Sequence, residues 1–143
     1  APQPPTPSDA LMRYVVSDSR LNSSDLFLYH KTTRRELYDR EWKHYADTLG
    51  ADEVIYLNES GELAEGSRTS IFIARDGKLL TPRLAAGVLP GTLRAALIDE
   101  GRAEEARLTI QDLNRAAEIY RGNSVRGLVR AEPLVPRLAV DHR

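Results

Sequence analysis

The sequence predicts an α+β fold in which short antiparallel strands form a meander in the middle of the chain, preceded by one long helix and followed by shorter ones. Two apolar, β-branched runs, Glu53-Val54-Ile55-Tyr56-Leu57 and Ser70-Ile71-Phe72-Ile73-Ala74, are each followed by a glycine-containing turn and a short returning run, the pattern of a hairpin. Between Arg34 and Leu49 the residues Tyr38, Trp42, Tyr45 and Leu49 recur at spacings of four, three and four, which is one face of a helix. With 143 residues, 41% of them hydrophobic, the chain can bury one core and is short for two.

In order along the chain, residues 1–10 carry prolines at positions 2, 4, 5 and 7 and almost nothing apolar, so they read as an extended linker with something before it. The first residue is not methionine, which a fragment of a longer polypeptide or removal of the initiator explains equally well. Residues 11–16 read as a strand and 17–25 as a polar loop, after which the apolar run 26–29 delivers Lys31. The helix over 34–49 ends at Gly50 as an αL cap would end it, with Glu36, Arg40, Lys43 and Asp47 on its solvated face. Hairpins follow over 53–65 and 70–81, turning at Asn58-Glu59-Ser60-Gly61 and Arg75-Asp76-Gly77-Lys78. Val88 to Arg94 is a loop opening into a helix to about Glu100, stopped by Gly101. Residues 107–109 read as a short strand, Thr109 or Gln111 as the cap of a brief helix over 112–116, and 118–122 and 127–134 as two more strands. The domain thus spans 11–135, leaving 136–143 as a tail without periodicity; there is no internal repeat.

Composition excludes several function classes. The net charge is −1 and the arginines are interleaved with twenty-one acidic residues, which argues against a nucleic-acid surface. The absence of cysteine removes disulfides, thiolate metal sites and a thiol nucleophile together. His30, His44 and His142 are too scattered for a metal site, and there is neither a Gly-rich nucleotide loop nor a Gly-x-Ser-x-Gly elbow. No apolar run approaches the length of a membrane span and no secretory signal opens the chain, so it reads as soluble and cytoplasmic.

Lys31 is the candidate chemical centre. It stands between an apolar run and a patterned helix, where a desolvated amine becomes a usable nucleophile; the alternative is a plain surface cation. The chain has only three lysines, and the other two are explained locally: Lys78 by a hairpin turn, Lys43 by the polar helix face. Glu65 is a strand-end acid followed by Gly66, suited to anchoring a ligand or simply facing solvent. Pro90-Gly91-Thr92 before a helix offers backbone N–H groups to a phosphate, or is an ordinary helix start. Gly122-Asn123-Ser124 is a polar turn after a strand.

Taken together, His30-Lys31-Thr32-Thr33-x-Arg35, Glu65-Gly66-Ser67-Arg68-Thr69-Ser70-Ile71-Phe72, Val88-Leu89-Pro90-Gly91-Thr92-Leu93-Arg94 and Gly122-Asn123-Ser124-x-Arg126-Gly127 resemble, in order and spacing, the class IV aminotransferase-like family, the fold-type IV pyridoxal-phosphate enzymes. Within it the pattern is most similar to the 4-amino-4-deoxychorismate lyases, especially the form fused behind a para-aminobenzoate synthase component I. The resemblance covers about residues 11–134. It implies the larger, C-terminal domain of that fold, a barrel-like sheet with flanking helices, and a smaller N-terminal domain that these residues do not contain.

The resemblance also implies roles. Lys31 matches the lysine that bonds the aldehyde of pyridoxal 5'-phosphate and later moves protons. Glu65 matches the carboxylate opposite the cofactor's protonated ring nitrogen, which keeps the ring an electron sink. Leu89 matches an apolar residue on the ring face, Thr92 and Leu93 the phosphate cradle, and Asn123 a polar group closing over the phosphate. Arg68 and Arg126 are the candidates to hold a substrate carboxylate, with a structural ion pair as the alternative. Branched-chain transaminases place a tyrosine a few residues after the lysine to bond the cofactor's ring oxygen; the nearest candidate here, Tyr38, lies further along. The implied partners are a small-molecule substrate, a second copy in a homodimer, and an upstream synthase domain if fused. The implied reaction is release of pyruvate from 4-amino-4-deoxychorismate to give 4-aminobenzoate, with transamination of D- or branched-chain amino acids, or a non-catalytic dimerisation or docking domain, as the alternatives.

Overall fold

The architecture is built around one strand buried on both faces. The structure is a computed structural model describing residues 11–23, 31–88, 91–116, 118–123 and 127–134, with the backbone alone at 31–33. Every residue of β2 (Glu53–Asn58) is buried. Its alternation sends Ile55 and Leu57 into one apolar cluster and Val54 and Tyr56 into another, as the two-residue period of a strand requires. β2 pairs in parallel with β1 (Met12–Leu21) and antiparallel with β3 (Leu63–Gly66). A parallel neighbour needs a crossover, and α1 (Lys31–Leu49) lies on that connection, packing against β2.

The remaining elements are β4 (Ser70–Arg75), β5 (Lys78–Pro82), a 3₁₀ turn (Leu84–Ala86), α2 (Thr92–Asp99), β6 (Ala103–Ala106), α3 (Ile110–Arg115), β7 (Glu118–Asn123) and β8 (Gly127–Pro133). The strands form one eight-stranded sheet in the order β3-β2-β1-β8-β7-β4-β5-β6. The expected meander is therefore corrected: the two hairpins occupy opposite halves, separated by β1, β8 and β7. The β1–β2, β1–β8 and β5–β6 pairings are parallel.

The sheet curls until its edges meet. Leu63 N–H, on edge strand β3, donates to the Leu108 carbonyl just beyond edge strand β6 at 2.7 Å, and Glu62 bridges to Thr109. Inside the curl, Tyr14, Ile55, Leu63, Ile71, Ile73, Leu113 and Ile119 draw both halves into one cluster. Outside it, α1 covers Val54, Tyr56 and Ala64 through Leu37, Tyr38 and Tyr45, while Phe72 and Leu97 form the contact under α2. This is the α+β, barrel-like sheet with flanking helices expected from the sequence.

Local differences have local causes. Residues 17–21, expected as loop, extend β1, because the Ser17 and Ser19 hydroxyls both donate to Glu41 of α1 and the pairing register slips between Val16 and Arg20. Leu49, expected on the buried helix face, is 54% exposed at the last residue of α1. The short strand expected at 107–109 lies earlier, at Ala103–Ala106, where Lys78–Glu104 and Arg94–Glu105 ion pairs hold a run without apolar alternation. Thr109 caps α3, its hydroxyl accepting from Asp112 N–H while Asp112 accepts from Thr109 N–H. The expected linker 1–10, the apolar run 26–29 and the tail 136–143 lie outside the described residues.

Candidate active site

Glu53 is where the site begins. A carboxylate at the head of a buried strand must be satisfied by hydrogen bonds, and the chain supplies them from the segment after β3. Ser67 N–H and hydroxyl donate to its Oε1; Arg68 N–H and the Thr69 hydroxyl donate to its Oε2, the last at 2.7 Å. The turn wraps so closely that a Cβ on Gly66 would lie 2.8 Å from Glu53 Oε2 and 2.9 Å from Thr69 Oγ1. Glu65 is thereby fixed at the end of β3, 5% exposed. Sequence reasoning passed over Glu53, although a charge leading an all-apolar strand is the signal that could have found it.

Glu65 is held from α1. The Tyr38 hydroxyl donates to Glu65 Oε2 at 2.5 Å, and Arg34 Nη1 lies 3.5 Å from the same oxygen. Tyr38 is itself buried and stacked on Tyr56 at 4.6 Å between ring centroids. Burial first, and then the Glu65 charge, push the Tyr38 hydroxyl far above its ordinary value, so it stays protonated and remains a donor. Tyr38 is thus a hydrogen-bond partner of the carboxylate. Arg34 also donates to the Gly87 carbonyl.

The start of α2 lines the same cavity as Glu65. Gly91 caps it without a side chain, leaving the first N–H groups of the helix, at Thr92 and Leu93, without intrahelical acceptors. Close approach to β7 is possible only because Gly122 has no side chain: a Cβ there would lie 2.7 Å from Leu93 Cδ2 and 2.8 Å from the Gly127 carbonyl oxygen. Asn123 follows, its amide 3.5 Å from the Arg68 carbonyl. Between these walls lies a cavity of about 320 Å³ lined by Tyr38, Glu65, Ser70, Gly91, Thr92, Leu93 and Asn123 among others.

The structure therefore brings Glu65, Thr92, Leu93, Asn123 and Arg68 to one cavity. Lys31 is the first residue of α1, three positions earlier than the helix start expected, and its side chain lies outside the described residues, as do Leu89 and Arg126. The competing lysines are surface groups: Lys43 pairs with Asp47 at 3.1 Å and Lys78 with Glu104 at 2.7 Å.

The pattern of amino-transferase class IV matches residues 1–132, and the chain belongs to that family. It is 32% identical over 133 residues to the aminodeoxychorismate lyase of Saccharomyces cerevisiae, covering 81% of this chain and 35% of that protein. Among solved structures, a protein assigned as an amino-acid aminotransferase of Mesorhizobium loti is 44% identical with a TM-score of 0.79, over 93% of this chain and 64% of that one. The fold also matches, at 23% identity and a TM-score of 0.73, the PLP-bound form of a hypothetical aminotransferase from Mycobacterium tuberculosis, over 85% of this chain and 47% of that one. The chain thus spans about a third of the length of its yeast relative.

Proposed function

We propose that this chain is the cofactor-binding domain of a pyridoxal-phosphate-dependent 4-amino-4-deoxychorismate lyase. The observation that carries the proposal is a buried carboxylate, Glu65, lining with the open N-terminus of α2 one cavity of about 320 Å³. An acid for a ring nitrogen and N–H groups for a phosphate are the donor set this cofactor needs. Similarity to the yeast lyase over most of this chain supports the lyase assignment.

In this reading Glu65 would serve the cofactor's ring nitrogen, Thr92 and Leu93 N–H with Asn123 would hold its phosphate, Leu89 would pack on its ring, and Lys31 would be the lysine for its aldehyde. When bound, the cofactor supplies an electron sink for the carbon next to the substrate's amine. The chain's own contribution is to hold Glu65 in place through Tyr38 and Arg34, and the Lys31 amine would take the proton from that carbon. Loss of pyruvate then leaves an aromatic ring. The proposal includes residues 1–10 as a linker, 136–143 as a tail, a separate small N-terminal domain, an upstream synthase, and pairing as a homodimer. Among the described residues no helix is long and apolar enough to cross a membrane.

The test uses the protein carrying this chain, loaded with pyridoxal phosphate. Absorbance near the visible edge is expected, and Lys31→Ala is expected to abolish it; absorbance unchanged by that substitution rejects the site. Incubation with aminodeoxychorismate is expected to release pyruvate without a keto-acid acceptor. The second reading, an aminotransferase, is favoured by the 44% identity to the Mesorhizobium loti protein, and a strict need for a keto acid would establish it.

A further inference from the structure

One hydroxyl in the cavity shared by Glu65 and the start of α2 has no duty within the chain. Ser70 opens β4, and the alternation of that strand decides which way it faces. Ile71 and Ile73 join the central cluster inside the curl, whereas Phe72 packs with Leu97 under α2. Ser70, two positions before Phe72, therefore stands on the α2 side. The ladder agrees: Ser70 lies opposite Gly122 of β7, and directly opposed residues of an antiparallel pair share a face. A Cβ on Gly122 would lie 2.7 Å from Leu93 Cδ2, so that face is the one α2 covers. Ser70 lines the cavity, is only partly buried, and among the described residues nothing bonds its hydroxyl.

The same spot is where a helix cap is missing. α2 begins after Gly91, which has no side chain to offer, and a Cβ built there would lie 3.5 Å from Ser70 Oγ. Ala95 N–H is the first to bond back along the helix, to the Gly91 carbonyl at 3.1 Å, so the N–H groups of Thr92, Leu93 and Arg94 precede it without intrahelical acceptors. A capping side chain at position 91 would occupy one of them. Instead a hydroxyl from a different element borders the space. We infer that Ser70 is a phosphate-binding residue, its hydroxyl adding a donor from β4 to the N–H groups of α2. The inference rests on the reading of this cavity as a cofactor site. A phosphate ester presents three strong acceptor oxygens, and N–H groups aligned along one helix axis approach it from one side only. A serine hydroxyl turns to suit its acceptor and donates from a second side.

The test uses the protein carrying this chain, freed of cofactor, as wild type and as Ser70→Ala. Each is titrated with pyridoxal 5'-phosphate and with pyridoxal, which lacks the phosphate, and followed by visible absorbance. In Ser70→Ala the affinity for the phosphate ester is expected to fall about tenfold, the loss of one hydrogen bond to a charged acceptor, while that for pyridoxal stays within about twofold. Unchanged affinity for the ester overturns the inference. So does an equal loss for both ligands, which would assign Ser70 to the ring. A variant that fails to fold overturns it too, by giving the hydroxyl a structural duty. Where wild type takes up the ester alone, or neither ligand, calorimetry with inorganic phosphate on both proteins decides Ser70 by itself. Weaker binding in Ser70→Ala supports the inference; equal binding, or none in wild type, overturns it. Uptake of neither ligand overturns the cofactor reading separately.

Discussion

Tyr38 and Gly66 show how much of the site depends on single atoms. Tyr38→Phe removes one oxygen, the donor to Glu65, and leaves the stack on Tyr56 intact. A buried hydrogen bond to a charged acceptor contributes about 1.5–3 kcal/mol, so urea unfolding at pH 7 should show a loss of that size. An effect under about 0.5 kcal/mol would mean that the other contacts of Glu65, Arg34 among them, suffice to hold the carboxylate. Gly66→Ala should cost about 1–3 kcal/mol or more, because the new methyl meets the Glu53 carboxylate and Thr69 at less than 3 Å and neither can withdraw without breaking their shared bond. Equal denaturant midpoints for Gly66→Ala and wild type would show that the turn yields. Gly66 was legible as a close-approach glycine from its place after a strand-end acid; that the group approaching it is Glu53, thirteen positions earlier, was not.

At the level of elements, α3 gives a pH-dependent test. The Thr109 N–H bond first, and Arg75 beyond it, hold the Asp112 carboxyl below its ordinary value of 3.8. A carboxylate with a depressed value contributes stability that is fully present above the ordinary aspartate range and is lost as the pH falls through its folded value. Asp112→Asn should therefore be less stable than wild type by about 0.5–1 kcal/mol at pH 7, and the gap should close as the pH drops below about 4. Urea midpoints at pH 7 and pH 3 measure it; a gap no smaller at pH 3 than at pH 7 would count against titration of Asp112 as its source. Thr109 was one of two caps readable from sequence, because a capping box is local; that it and not Gln111 caps α3 is seen in the structure. The reach of β1 through Ser17 and Ser19 was not, because those serines are strand residues only by virtue of Glu41 on α1.

For the whole molecule, the central cluster takes residues from both halves of the sheet and from α3, and the two edges are joined through Leu63 and Leu108. Such a core should unfold as one unit. Fluorescence of Trp42, the single tryptophan, reports on α1, and far-UV circular dichroism reports on the whole backbone. The two should give coincident denaturant transitions, and separated midpoints would mean that the halves fold independently.

Local pattern alone determined the hairpins, the span of α1 to within one turn, a helix opening after Pro90-Gly91-Thr92, and the motifs carrying Lys31, Glu65, Thr92 and Asn123, since each depends on residues a few positions apart. Only the tertiary structure decided that the two hairpins lie on opposite sides of β1, β8 and β7, and that Tyr38 serves Glu65. These are contacts between distant segments, and they exist because burying the inner face of a twisted sheet curls it and brings its ends together.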